Sequence, residues 1–165
     1  MALVISDAST LILLAAVNRL ELLREFYSEI TIPAAVWQEV VVEGGERPGA
    51  SAVRTAHEKG WIKVVKVEEQ HLLRLLNRDL HAGEAEVIAL AVERKAELVL
   101  LDETEARGIA ELYEIQKTGV IGILVRAAVE GKIGALRPEL DALRKQGGFW
   151  IAEHLYQRAL QAVGE

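Results

Sequence analysis

The chain contains no cysteine, so disulfides and thiolate zinc sites are both closed to it. No apolar run reaches the ~18 residues that cross a bilayer, and the N-terminus lacks the basic flank and cleavage pattern of a signal peptide. Together these absences set the expectation of a cytoplasmic protein. There is no G-x-G-x-x-G or Walker loop, which removes support for a nucleotide cofactor. The triplet Lys117-Thr118-Gly119 has no accompanying Ser-x-x-Lys, so it carries no acyl-transfer chemistry. His57, His71, His81 and His154 show no pairing at metal-ligand spacing. An excess of positive charge is missing as well: the net charge is -6, which argues against binding nucleic acid by bulk electrostatics.

The remaining composition is that of a globular domain. With 165 residues, 51% hydrophobic and 27% charged, the chain is long enough to bury a substantial core and reads as one domain over 1–165. Its charge is unevenly spread. Residues 1–103 carry 17 acids against 11 bases, whereas residues 104–165 carry 8 of each. The acidic excess therefore lies in the part where the pattern places carboxylates at strand ends, and bound cations would offset it there.

Strand-like and helical segments alternate along the chain. The opening run Leu3-Val4-Ile5-Ser6 reads as a buried parallel strand that stops at Asp7, with Ser9 and Thr10 placed to cap a helix over 11–17. Further helices are expected over 20–26, over 34–42 with Pro33 at its first position, and over 50–59. Others fall near 69–79, 83–95 and 104–112. Strands are expected over 29–32, 61–67, 98–101 and, weakly, 114–117. Residues 119–165 form a helical C-terminal portion of three helices, separated at Gly131–Gly134 and Gly147–Gly148. This alternation predicts an α/β domain, a three-layer α/β/α sandwich around a central, mostly parallel sheet of about five strands.

In an open parallel sheet, ligands bind at the carboxyl ends of the strands. Asp7 ends the first strand, and the same construction recurs where Leu98-Val99-Leu100-Leu101 runs into Asp102. Two carboxylates delivered to one sheet edge suggest a metal site. Helical geometry adds a third acid. At ~100° per residue, Glu84 shares a face with Val87, Ile88 and Ala91, while Glu86 and Glu93 fall opposite, toward solvent. An acid within an apolar stripe is costly to bury unless paired or metal-bound; the positive N-terminus of the helix accounts for Glu84 equally well. A fourth is undecided by periodicity, since Glu39 and Glu43 both flank the buried face marked by Val36, Trp37, Val40 and Val41.

Asp7 with Ser9, the segment Val36-Trp37-Gln38-Glu39-Val40, Gly83-Glu84-Ala85-Glu86 and the strand ending in Asp102 together resemble a PIN domain, the family of the VapC-like toxin ribonucleases. The chain more closely resembles a branch marked by a Gly-Glu-Ala-Glu motif, a segment here reading Asp102-Glu103-Thr104-Glu105-Ala106-Arg107, and a Gly-rich helix start, Gly119-Val120-Ile121-Gly122. The likeness covers essentially the whole chain. It implies an acidic quartet of Asp7, Glu39, Glu84 and Asp102, with Glu103 as a further ligand or a helix N-terminal acid. Ser9 would hold Asp7 or a phosphate, or only cap its helix. The branch commonly carries a hydroxyl residue where this chain has Val120, and neighbouring Thr118 is the candidate substitute.

The resemblance further implies Mg²⁺ or Mn²⁺ held by hard carboxylate oxygens and hydrolysis of RNA phosphodiesters by metal-activated water. The protein is then expected to be the toxin of a type II toxin–antitoxin pair, with a cognate antitoxin protein as partner. The alternative is a PIN-fold nucleic-acid-binding or regulatory module without nuclease activity. Arg107, Lys117 and Arg126 are either groove-lining or simply solvated. A homodimer is expected, its surface around Leu14, Leu22 and Phe26 or near Trp150 and Leu155.

Overall fold

A computed structural model describes residues 2–165 and shows five parallel strands flanked by helices, a three-layer α/β/α sandwich. The strands are β1 (Val4–Ser6), β2 (Ile30–Pro33), β3 (Ile62–Val65), β4 (Leu98–Leu100) and β5 (Lys117–Thr118). Their order is β3-β2-β1-β4-β5, so the chain builds outward from β1 in one direction and then returns to start again on its other side at β4. The switch point of the sheet thus falls between β1 and β4, where neighbouring connections diverge and leave a crevice. The central strands are buried on both faces, as the continuous Val, Ile and Leu runs require in a parallel sheet.

Among the described residues ten α-helices accompany the strands, the last three following β5. They are α1 (Ala8–Ala16), α2 (Glu21–Tyr27), α3 (Ala34–Trp37), α4 (Pro48–Glu58), α5 (Gln70–Leu76), α6 (Ala82–Arg94), α7 (Thr104–Leu112), α8 (Val120–Val129), α9 (Leu136–Lys145) and α10 (Glu153–Ala162). Helix α6 lies on β1 and β2 and gathers α3, α5 and α7 about it, while α1 packs against α4 and α8. Ile5, Leu11, Leu14, Ile32, Ile88 and Leu100 are among the fully buried side chains between these layers.

Several local expectations change. Asp7, not Ser9 or Thr10, caps α1: its carboxylate accepts the Thr10 N–H at 2.8 Å. Pro33 ends β2 and occupies the cap of α3, one position before the expected first turn; Pro48 is the proline that opens a helix. The helix after Pro33 does not continue regularly to Val42. It widens at Gln38–Val42 into a π-helical turn, and that turn carries Glu39. Leu14 and Leu22 lie in the core, with 0% and 4% of their surface exposed, so neither can face a dimer partner, and Phe26, the third residue of that expected surface, is half-buried. On the C-terminal side Trp150 and Leu155 do remain exposed.

Candidate active site at the sheet switch point

Register brings the first two acids together. In the β1–β4 pair Ser6 stands opposite Leu100, and the Asp7 N–H continues the ladder to the Leu100 carbonyl at 2.9 Å. Asp7 and Asp102 therefore leave the sheet side by side at the switch point. The Asp102 N–H donates to Asp7 Oδ2 at 3.1 Å, while Asp7 Oδ1 caps α1. Only 3% of Asp7 is exposed. Burial, which outweighs the stabilising N–H donors, pushes its carboxyl up to about 7, and the neighbouring charge of Asp102 adds to the rise.

The Asp102 carboxylate is held from two directions. Thr10 donates its hydroxyl to Oδ2 at 2.6 Å, and the Val120 N–H at the start of α8 donates to Oδ1 at 3.0 Å. Gly119 makes this approach possible, since a Cβ there would stand 2.5 Å from Asp102 Oδ1. The hydroxyl that meets this carboxylate is thus that of Thr10 on α1, and Val120 contributes through its backbone. Burial raises the Asp102 carboxyl above its ordinary range against these donors and the nearby Arg107 charge.

Glu84 enters from α6, with 6% of its surface exposed. Its Oε1 lies 3.1 Å from His81 Nε2, so a histidine with no sequence spacing to recommend it does touch the site. Burial raises the Glu84 carboxyl most; His81 opposes that rise, and the charges of Glu103 and Glu39 reinforce it. Glu39 reaches the same place from the π-helical turn: a Cβ on Gly83 would lie 3.1 Å from its Oε1. A wider helical turn at a functional site is a recurrent device for redirecting a side chain. Glu43, the competing residue, is exposed.

Glu103 sits at the cap of α7 without capping it. Its Oε1 instead accepts the Ser9 hydroxyl at 3.2 Å, and its charge acts on both Glu84 and Asp102. Ser9 therefore meets Glu103, not Asp7. Glu86 departs from its expected solvated role: it is half-buried and accepts the Ala35 N–H at 3.1 Å, at the start of α3. Helix α6 is covered on more than one side, so the side opposite Glu84 is not open water.

The acids thus arrive as two linked groups, Asp7 with Asp102 and Glu84 with Glu39, and Glu103 lies within electrostatic reach of both. Among the described residues no three His, Asp or Glu side chains draw their donor atoms around a common point, so the acids do not form a closed cage. Repulsion between desolvated carboxylates and the competing N–H and O–H donors keeps them apart. None of Asp7, Asp102, Glu39 or Glu103 forms a salt bridge among the described residues.

Asp102 also opens onto a cleft of about 630 Å³, walled by Arg107, Lys117, Phe149, Trp150 and Arg158. Arg126, the third expected groove cation, lies elsewhere, stacked 4.2 Å from the Phe26 ring centroid and paired with Glu130.

An acid at the end of each switch-point strand, with more acids from the intervening helices, is the arrangement expected from the resemblance. A PIN-domain family model matches residues 3–165. The chain belongs to the PIN-domain family. No curated protein matches it in sequence. PIN domains are commonly nucleases that use divalent metals, and this one presents hard oxygen donors at the carboxyl edge of its sheet. No helix among the described residues is long and apolar enough to cross a membrane.

Proposed function

We propose that this PIN domain is a divalent-metal-dependent ribonuclease, an endoribonuclease acting on RNA phosphodiesters, with Asp7, Glu39, Glu84 and Asp102 as its acidic quartet. The observation that carries the reading is the pair of switch-point aspartates, buried side by side, joined by the Asp102 N–H to Asp7 Oδ2 hydrogen bond and without a salt bridge among the described residues, so that burial raises both carboxyls even against the nearby Arg107 charge. A fold retains such an arrangement at a cost, and functional sites are where that cost is borne.

The donors fit Mg²⁺ or Mn²⁺, because all are hard carboxylate oxygens. Asp7, Asp102 and Glu84 would hold such an ion, with Glu39 and Glu103 at its margin. When bound it would neutralise phosphoryl charge and acidify coordinated water. The chain's own residues supply the positioning. Asp7 fixes the backbone of Asp102, Thr10 and Val120 fix the Asp102 carboxylate, and His81 steadies Glu84. Ser9 holds Glu103 at the mouth, and Arg107 and Lys117 offer positive charge to an approaching phosphate.

The toxin reading adds a cognate antitoxin protein, a cytoplasmic setting and a homodimer. It predicts a small neighbouring reading frame whose product blocks cleavage. The test of the activity is a panel of defined RNAs incubated with Mn²⁺ and with EDTA. Cleavage in Mn²⁺ alone, lost in Asp102→Asn, is expected. Cleavage that survives EDTA or this substitution would overturn the assignment, and no cleavage of any RNA would favour the regulatory module.

A further inference from the structure

The cleft beside Asp102 differs in character from the acidic centre it adjoins. Arg107, Lys117 and Arg158 line it, Asp102 is the only acid on its wall, and the chain as a whole carries a net charge of -6. None of these three cations forms a salt bridge among the described residues. Arg107 donates to the Leu101 carbonyl at 2.7 Å, which leaves Lys117 and Arg158 as the cations without a salt bridge or a carbonyl partner among the described residues, and such positive charge in one depression of an acidic protein marks it for an anionic occupant.

Its other wall carries an aromatic platform. Trp150 is 82% exposed, the most exposed large apolar side chain among the described residues. It is not a loose loop residue. The Phe149 N–H donates to the Leu143 carbonyl at 3.0 Å, and Arg144 donates to the Ile151 carbonyl at 3.0 Å, so the backbone is anchored on both sides of it. Ile151 is buried, and the turn before Phe149 passes through Gly148 at φ +62°, a conformation that favours glycine. An indole ring on a fixed backbone, facing solvent beside three cations, suits a flat partner that carries negative charge. Phe149 also borders the small depression containing Ser9 and Glu103, so the platform is continuous with the acidic centre.

We propose that this cleft binds the single-stranded RNA segment flanking the scissile phosphate, with an unpaired base stacked on Trp150 and its phosphates met by Lys117 and Arg158. A base inside a duplex has no free face to offer, so the cleft selects unpaired strand; base–aromatic stacking with a basic track is the general solution for such strands. The proposal rests on the ribonuclease reading for the identity of the strand, but not for its binding.

Binding is measured on the full-length protein in EDTA, where nothing is cleaved, by tryptophan emission and by anisotropy of a labelled oligouridylate. The oligouridylate quenches emission, whereas an abasic oligomer of equal length and Trp150→Ala each lose about tenfold or more in affinity. Trp150→Phe keeps most of the affinity but loses the quench. Arg158→Gln weakens all oligomers alike and lowers the salt slope by about one. Equal affinity for abasic and ordinary strands, or unchanged binding by Trp150→Ala, would overturn the proposal. So would an acidic peptide that alone occupies the cleft, or a dimer that Trp150→Ala dissociates without loss of RNA. The two readings fail separately: a wrong cleft leaves Mn²⁺-dependent cleavage sensitive to Asp102→Asn but not to Trp150→Ala, whereas a missing nuclease activity leaves the EDTA binding data intact.

Discussion

Replacing Asp7 by asparagine should make the metal-free protein more stable in alkali and leave it no more stable in acid. The Asp7 carboxyl is held at about 7 in the folded protein against an ordinary value of 3.8, chiefly by burial. The folded state therefore keeps a proton that the unfolded chain releases, and stability falls as pH rises from about 4 through about 7. The full difference corresponds to about 4 kcal/mol at high pH. Asparagine removes that penalty but meets one of the two N–H donors, from Thr10 or Asp102, with its own amide. That mismatch costs about 1–2 kcal/mol. The net gain is about 2–3 kcal/mol near pH 9, or roughly 5–10 °C in Tm, shrinking to nothing or reversing near pH 4. Urea unfolding in EDTA across this range measures it, and Mn²⁺ should then invert the order by stabilising only the parent. A variant with the parent's pH slope, or one less stable near pH 9, would refute the burial argument.

Three other substitutions probe the supports of the site. Gly119→Ala places a Cβ 2.5 Å from Asp102 Oδ1 and should displace that carboxylate, abolishing cleavage while circular dichroism stays native. Thr10→Val removes the 2.6 Å hydroxyl donor to Asp102; stability should fall by about 1–3 kcal/mol, and the acidic limb of the pH–rate profile should move to higher pH, with Thr10→Ser restoring both. Glu86→Ala should cost about 1 kcal/mol by leaving the Ala35 N–H without its acceptor, while Glu86→Gln keeps an oxygen there and either variant still cleaves RNA.

The strand ends were legible because register is local to the sheet. Once Val4–Ser6 and Leu98–Leu100 are strands of one parallel pair, Asp7 and Asp102 must emerge together. Glu84 was legible in part, since its helical face is apolar and its burial confirms that face. Glu39 was legible only through the family resemblance, because the π-helical turn at Gln38–Val42 breaks the 3.6-residue period by which it would be judged against Glu43. Contacts between distant segments were also hidden. Thr10 looked like a helix cap, yet its hydroxyl meets a residue 92 positions away, and Glu86 looked solvated until α3 arrived with an N–H to satisfy. His81 carried no motif at all and reaches Glu84 only because the two are three residues apart on one helical turn. The cleft around Trp150 follows from how the segment between α9 and α10 returns toward Asp102, a tertiary fact that no short pattern encodes.

The most direct test of the central claim is a crystal of the protein soaked in Mn²⁺ and measured for anomalous scattering. The account predicts a peak between Asp7, Asp102 and Glu84, with carboxylate oxygens at ~2.1–2.3 Å, and its loss in Asp7→Asn. A map with no peak among these residues, or with Mn²⁺ bound only at surface acids remote from the β1–β4 switch point, would contradict it.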